Sequence, residues 1–541
     1  MNRIRFASIA ALLSLLGLLV PHSHAQDCAA QAHRVGEIRL INVTLLDAAT
    51  VARELMAGIR LRSTACVAAD GLADIGDQLQ QRYAAAGYGA IKVLPPQPPD
   101  ANGLLQVEVI EGQLLPGVSV FGTTRLTQDS VRASLPALVG GEPVRIRQLD
   151  AQLRLANDNP AKETQLVLMP GPSGGNGVQA EIRVRELAQQ RIGLNLDNTG
   201  DDATGRHRVA LSWRDANLSG HDDLLSLQLQ VSPAHTDRAQ VLSAGYRWPV
   251  YGSAMLVDAF AGYSNSAGMH TTTAGNLTLN GRGSVVGLRL TWAVRRWGEI
   301  DQRIGVGIDH RSYRNVCAIA GLPEGACGPA GQALALTPLS LEYLAQRGGS
   351  LPMAVNLRLQ RSLGLGSSSD AQFNAVRAGA RADATAARAG ASLLMPFADD
   401  WQAVLRSTGQ VSRHAMVSGE MFGAGGVGSV RGYRERELTG DHGLDVSVQF
   451  GRVGLLTPQT GAKAAVNLYG FADAAVLQNR TDLECLPGRT RCVLAAWGIG
   501  TRATWGNWSA GIDLAHALRA GATTPRGDTR VHFSLATHFD R

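Results

Sequence analysis

The chain has 541 residues, 45% of them hydrophobic, and its 51 Lys and Arg against 45 Asp and Glu give a formal charge of +6. So weak a positive balance excludes nucleic acid as a partner, all the more because Arg3 and Arg5 fall in a segment expected to be removed. The length leaves room for more than one domain.

Met1 to Arg5 is basic, Phe6 to Val20 is apolar, and Ser23-His24-Ala25 is a small-x-small cleavage site, so residues 1–25 read as a signal peptide. The apolar run is too short to span a membrane as a helix, and no later run is long enough. An exported chain meets an oxidising compartment, where cysteines pair. Proximity pairs Cys317 with Cys327 and Cys485 with Cys492, which leaves Cys28 with Cys66. Neither close pair has the second ligand pair that a zinc site needs, so no metal is expected.

Residues 26–112 form a first small α/β module. Val35–Ile41 reads as a strand. Leu72, Ile75, Leu79 and Tyr83 recur at helical spacing, with Gly87 as a stop. Strands are expected at 90–94 and 104–110. Residues 113–187 repeat the order β-α-α-β-β. A strand lies near Val118 and Val120, helices over 131–138 and 146–156, and strands over 164–169 and 178–184. Neither module carries a convergent polar cluster.

From residue 188 to 541 the helical pattern stops and period-two alternation takes over. Leu225, Leu227, Leu229 and Val231 alternate with Ser226, Gln228 and Gln230; Leu444, Val446, Val448 and Phe450 alternate with Asp445, Ser447 and Gln449. Sixteen strands are expected, at 190–198, 205–215, 222–232, 238–249, 253–264, 284–294, 301–314, 333–346, 351–361, 385–397, 401–411, 442–454, 464–475, 493–503, 508–517 and 529–539. Many alternating strands behind a signal peptide predict a transmembrane β-barrel. A β-sandwich would be small for this length, and no short repeat supports a β-helix. The even count puts both barrel ends in the periplasm, with short turns after even strands and longer outer loops after odd ones. The pairs Cys317–Cys327 and Cys485–Cys492 then fall in outer loops. Asp201-Asp202 and Asp222-Asp223 read as solvated loop charges.

The most informative stretch is Phe422-Gly-Ala-Gly-Gly-Val-Gly-Ser-Val-Arg-Gly-Tyr433, within the long connection after the eleventh strand. A long connection is either functional or disordered. On the thirteenth strand, Val466, Leu468 and Val476 share the lipid parity, whereas Asn467, Tyr469 and Asp473 share the other. Asp473 therefore points into the lumen, where a carboxylate needs a partner or water. Arg431 can supply a bidentate contact.

The whole order resembles the two-partner secretion transporters, also called the TpsB or haemolysin secretion/activation family, within the superfamily of the barrel-assembly factor BamA. Tyr83-Ala-Ala-Ala-Gly-Tyr88 and Val109-Ile-Glu-Gly112 are similar to its first POTRA module. Asn157-Asp-Asn-Pro160 and Leu168-Met-Pro-Gly171 are similar to its second, and Asp197-Asn-Thr-Gly200 to its barrel start. Ser429-Val430-Arg431-Gly432-Tyr433 resembles the motif of the superfamily's sixth outer loop. Phe471-Ala-Asp473-Ala-Ala475 resembles its Phe-x-Asp-x-Gly strand motif, with Ala475 in place of the glycine.

The resemblance implies a sixteen-stranded outer-membrane barrel with two periplasmic POTRA modules, embedded in lipid and inserted by the barrel-assembly machinery. It implies an inward-folded sixth loop whose Arg431 meets Asp473. It implies passage of an unfolded, TpsA-like β-helical partner (an adhesin, cytolysin or toxin), with no cofactor and no catalysis. Two departures stand out. Too few residues follow Ala25 for the plug helix many members carry, so closure is expected from the sixth loop. The chain also adds Asp540-Arg541 after the terminal aromatic Phe539. The rival readings are an assembly factor of the same superfamily, a passive porin or receptor, and an enzyme. The histidines show neither a HExxH nor a nucleophile-elbow pattern.

Overall fold

The computed structural model describes residues 28, 32–62, 66–172, 175–202, 204–237, 239–265, 268–272, 275–279, 282–314, 333–397, 400–455, 464–481 and 483–541. The predicted signal peptide, and Cys317 and Cys327, lie outside the described residues. Two compact units divide at Gly112, the second beginning at Gln113 and also holding Gly87–Gly89.

The first unit is a three-stranded sheet under two helices, α1 (Ala48–Arg62) and α2 (Ala69–Ala86). Strand Leu104–Glu111 lies between Glu37–Ile41, which it joins in parallel, and Ile91–Val93, which is antiparallel to it. Leu105, Val107 and Val109 alternate inward and are fully buried under Leu72, Ile75, Leu79 and Tyr83 of α2. Each such side chain contributes about 1.5–3 kcal/mol, and Leu79→Ala would cost about 2–5 kcal/mol. A short strand pair, Ala32–Arg34 with Cys66–Ala68, has no counterpart in the sequence reading. Cys28 and Cys66 are disulfide-bonded beside it, with Cα atoms 5.5 Å apart.

The module at the start of the second unit contains α3 (Gln128–Ala133), shorter than its predicted span, and α4 (Ile146–Asn157). Its sheet pairs Lys162–Pro170 with Gly177–Glu186, around a core of Val120, Val131, Leu135, Ile182 and Val184.

One device recurs in both modules. A glutamate ending the last strand collects the N–H groups of the loop after the first. Glu111 accepts from the N–H groups of Thr44 (2.9 Å) and Leu45 (3.1 Å) and from the Tyr83 hydroxyl (2.6 Å). Glu186 accepts from the N–H groups of Thr124 (2.8 Å), Leu126 (2.9 Å) and Arg125 (3.0 Å) and from the Thr124 hydroxyl (2.7 Å). Burial alone would raise the Glu186 carboxyl; the Thr124 hydroxyl and the three N–H groups outweigh it and hold it at about 2. Glu111 is likewise held below its usual range, burial again being outweighed by the Thr44 and Tyr83 hydroxyls and the loop N–H groups.

The rest is a closed antiparallel barrel. Its strands in order are Gln190–Asp197, Arg208–Asp215, Leu224–Val231, Gln240–Val250, Met255–Asn265, Arg282–Trp297, Ile300–Arg314, Ala333–Arg347, Met353–Ser362, Thr385–Pro396, Trp401–Ser412, His442–Arg452, Ala464–Gln478, Arg491–Trp505, Trp508–Ala517 and Thr529–Asp540. The eighth is interrupted at Thr337 without a change of register. Pro338, which follows, has no N–H for the ladder. Strands one and sixteen close the cylinder from Arg191↔Asp540 to Asp197↔Ser534. The extra Asp540-Arg541 joins this seam. Arg191 forks onto Asp540 (2.5 and 2.9 Å), and Arg541 exchanges backbone bonds with Gln190. Leu227, Leu229, Val286, Leu288, Leu357, Leu359, Leu444, Val448 and Phe450 all face outward, the row that lipid requires.

The second module is fastened to the barrel by the residues of Asn157-Asp-Asn-Pro160. Asn157 stays within the module, bridging the backbone of Thr164. Asp158 takes both Arg303 Nη atoms (2.5 and 2.9 Å) on strand seven. Asn159 donates to the carbonyls of Ala216 (2.6 Å) and Asp222 (3.1 Å) in the turn after strand two. Here one expectation fails: Asp222 and Asp223 are buried, not solvated. Asp222 pairs with Lys162 (2.6 Å) and accepts from the Tyr251 hydroxyl (2.8 Å), while Asp223 accepts from Ser219 and Tyr246. The module covers this turn, which the local sequence cannot reveal. Asp201 and Asp202 remain on the surface.

Candidate functional site, the inward loop of the barrel

The connection 413–441 after strand eleven does not lie over the mouth; it folds into the lumen. A short ladder, Phe422–Ala424 with Leu438–Gly440, forms its stem. The turn beyond needs glycine at two places. Gly425 has φ +111° and a Cβ there would meet the Arg434 carbonyl at 2.5 Å, and Gly432 has φ +90° against Ala515.

The tip sets Arg431 on strand thirteen. Arg431 Nε donates to Asp473 Oδ2 at 2.7 Å, Nη2 to Oδ1 at 2.8 Å, and its backbone N–H to Oδ2 at 3.1 Å. Nη1 also reaches Asp513 Oδ1 (3.3 Å) and Nη2 the Ser447 hydroxyl (3.2 Å). The guanidinium stacks 3.4 Å from the Phe471 ring centroid. Both charged groups are almost wholly covered, with side-chain exposures of 4% for Arg431 and 0% for Asp473. Asp513 is itself held by Arg502 (2.7 Å) and the Tyr469 hydroxyl (2.6 Å).

The neighbouring motif residues supply apolar contact. Val430 and Tyr433 are fully buried among Ala475, Leu477, Cys492, Leu494 and Leu438. Ala475, where the resembled motif has glycine, fills part of this cluster. The Tyr433 hydroxyl donates to the Arg519 carbonyl (2.8 Å) and lies 2.9 Å from that of Ala495. The Gly432 N–H donates to His532 Nε2 at 3.0 Å. The cluster also holds Cys492, disulfide-bonded to Cys485 with Cα atoms 6.2 Å apart. All six predicted loop and strand residues, Val430, Arg431, Gly432, Tyr433, Phe471 and Asp473, thus meet at one place.

Three further anchors escaped the sequence reading. Glu420, at the loop's descent, accepts from Arg311 (2.7 Å), the Tyr313 hydroxyl (2.6 Å), Gln360 (3.0 Å) and Arg388 (3.2 Å). Asp441, at its ascent, takes a fork from Arg377 (2.8 and 2.6 Å) and the N–H groups of Met416 and Arg480. Asp513 is the third. Parity marks it, because Ile512 and Leu514 beside it face lipid; no comparable sign marks Glu420 or Asp441. Among the described residues no group of His, Cys, Asp and Glu could hold a metal ion.

The family model described as "Haemolysin secretion/activation protein ShlB/FhaC/HecB" matches residues 178–503. The outer membrane transporter CdiB of Dickeya dadantii (strain 3937) is 26% identical over 372 residues, 67% of this chain and 62% of that protein. The hemolysin transporter protein ShlB of Serratia marcescens is 26% identical over 283 residues, 52% of this chain and 48% of that protein. The matches therefore span less than two thirds of each relative. In fold, CdiB from Escherichia coli superposes with a TM-score of 0.74 at 19% identity, covering 96% of this chain and 92% of the other. CdiB from Acinetobacter baumannii gives 0.71 at 18% identity, covering 94% and 90%.

Proposed function

The chain belongs to the haemolysin secretion/activation protein family, as an outer-membrane barrel with periplasmic POTRA modules, and we propose that it exports a partner protein to the cell surface. In this reading residues 1–25 direct export, residues 26–112 and 113–187 are the two POTRA modules, and residues 188–541 are the conduit. An exposed strand edge of a POTRA module receives an extended segment of the partner by β-augmentation. The segment crosses the lumen unfolded, and folding outside drives the passage, since the chain has no nucleotide-binding motif. The partner is a TpsA-like β-helical protein of the adhesin, cytolysin or toxin type.

The observation that carries this reading is the inward loop seated on Asp473. A passive pore has no use for a loop held by four buried carboxylates, Glu420, Asp441, Asp473 and Asp513, whereas a conduit that opens for one client needs a defined closed state. Loop six, with Arg431 as its lock, is that closure. The test is secretion of a co-expressed partner by the Arg431→Ala variant. Loss of secretion with the barrel still inserted in the outer membrane is expected; undiminished secretion would refute the role given to Arg431.

A further inference from the structure

Loop six occupies one side of the lumen and leaves a cavity of about 630 Å³ on the other. The wall of this cavity comes from strands four to eleven and, at Gly419, Met421, Phe422, Gly423 and Arg436, from loop six; its lining includes seven arginines against three carboxylates, Asp258, Asp309 and Glu342, with one of the seven, Arg303, paired outside the lining with Asp158 and Asp301. Glu420 of loop six lies just behind it. The carboxylates are shared. Glu342 holds Arg289 (3.1 Å) and Arg358 (2.7 Å), and Glu420 holds Arg311 (2.7 Å) and Arg388 (3.2 Å). A guanidinium carries five N–H donors. Most of these donors are already engaged, since Arg388 also donates to Gln410 and Gln360 and Arg311 also to Asp309, so what the cavity meets is the positive edge of the guanidinium rather than a set of spare donors.

Exposure shows which charge meets the water. The side chains of Arg358 and Arg388 are 29% and 30% exposed, but Glu342 and Glu420 only 8% and 4%. Arg247 and Asp258 repeat the contrast, at 23% and 2%. A network that only braced the wall would cover its cations as it covers its carboxylates. Arg289, Arg303 and Arg311 are covered in that way, at 11%, 10% and 13%, but at Arg247, Arg358 and Arg388 the acids lie underneath and the guanidinium edges face the cavity. In a narrow, low-dielectric passage such a surface concentrates anions.

We propose that this wall is a binding surface for carboxylates, and that it guides acidic segments of the polypeptide in transit along the side of the lumen opposite the Arg431 lock. The assignment to a polypeptide rests on the export reading above. The binding of carboxylates does not.

The test uses the full chain and the probes hexaglutamate, hexalysine and inorganic phosphate. Hexaglutamate should raise the temperature at which the detergent-solubilised barrel loses its heat-resistant mobility, and hexalysine should not. In planar bilayers under a potassium chloride gradient, chloride should permeate faster than potassium. Arg358→Gln with Arg388→Gln should abolish the peptide shift and lower the chloride preference at least about twofold. Arg436→Gln is the second variant, because Arg436, which lines the cavity from loop six, hydrogen-bonds through its side chain only the carbonyls of Ser418 and Met421 in the same loop, and its loss strands no carboxylate. It should lower both readouts if the double variant fails to fold. If the barrel stays shut in the bilayer, the peptide shift alone decides. No hexaglutamate shift in the wild type, or a shift that these variants leave intact, overturns the proposal. Phosphate stabilising as strongly as hexaglutamate overturns the assignment to a polypeptide. Secretion of a partner is scored separately, so a barrel that binds hexaglutamate yet exports nothing would sink the export reading and spare the binding surface.

Discussion

Replacing Arg431 by Met and Asp473 by Asn, singly and together, gives a cycle whose outcome the geometry sets. Arg431→Met removes two guanidinium bonds of 2.7 and 2.8 Å and leaves a carboxylate with no exposed surface facing only the Arg431 backbone N–H. Breaking one side of a buried pair costs about 3–5 kcal/mol. Asp513 is not stranded, since Arg502 and Tyr469 keep it paired. Asp473→Asn removes the countercharge but leaves Arg431 its contacts with Asp513 and Ser447, so about 2–3 kcal/mol is expected. The double variant has neither orphan charge, and its cost should fall below the sum of the singles by at least about 1 kcal/mol. Arg431→Lys keeps the charge, loses the fork, and should fall between wild type and Arg431→Met. Denaturant unfolding of the barrel measures the energies, and tryptic cleavage at Arg434 and Arg436 reports release of the loop. Additive single costs, or a lysine variant equal to wild type in both assays, would show that the pair does not hold the loop.

Other expectations follow from parts already described. Glu186 has its folded pKa depressed to about 2, so its stabilisation is complete above the unfolded value near 4.5 and fades as pH falls from there toward 2. At neutral pH, Glu186→Gln should cost up to about 3 kcal/mol, seen as faster hydrogen exchange at Thr124, Arg125 and Leu126; unchanged exchange would dismiss the carboxylate as the loop's anchor. Tyr433→Phe leaves the Arg519 and Ala495 carbonyls without the hydroxyl and should cost about 1–3 kcal/mol, read as a lower barrel midpoint without loss of insertion. In the chain-entropy picture, opening Cys28–Cys66 (separation 38) should cost about 4 kcal/mol and opening Cys485–Cys492 (separation 7) about 2.5 kcal/mol. Cys→Ser variants with local proteolysis should therefore loosen the first module more than loop seven; the reverse order would contradict this.

The barrel was legible because lipid imposes one rule on every strand. Leu444, Val448 and Phe450 face out and Asp445 and Ser447 face in. The same rule found Asp473 and could have found Asp513. Arg431 was legible through its motif, and its partner through the resembled strand motif together with the lumen parity of Asp473. What stayed hidden depends on long-range folding of loops. Glu420 meets Arg311 across 109 positions, and Asp441 meets Arg377 across 64. Both acids sit in connections where a charge normally means solvent. Asp222 misled for the same reason, since only the docked module removes its water.

The second module meets the barrel at the covalent link near Leu187, the turn after strand two, the turn Tyr251–Ser253 after strand four, and the ends of strands six and seven, where Arg154 reaches Asp301 and the Val294 carbonyl and Asp150 pairs with Arg296. Three or more points spread along an arc fix a rigid body completely. Two points leave it one freedom, rotation about the line through them. Loosening Asp158, Arg154 and Asp150 together with the α4 contact at Tyr251–Ser253 would therefore not free the module; it would turn a fixed mount into a hinge whose axis runs from the link to the strand-two turn.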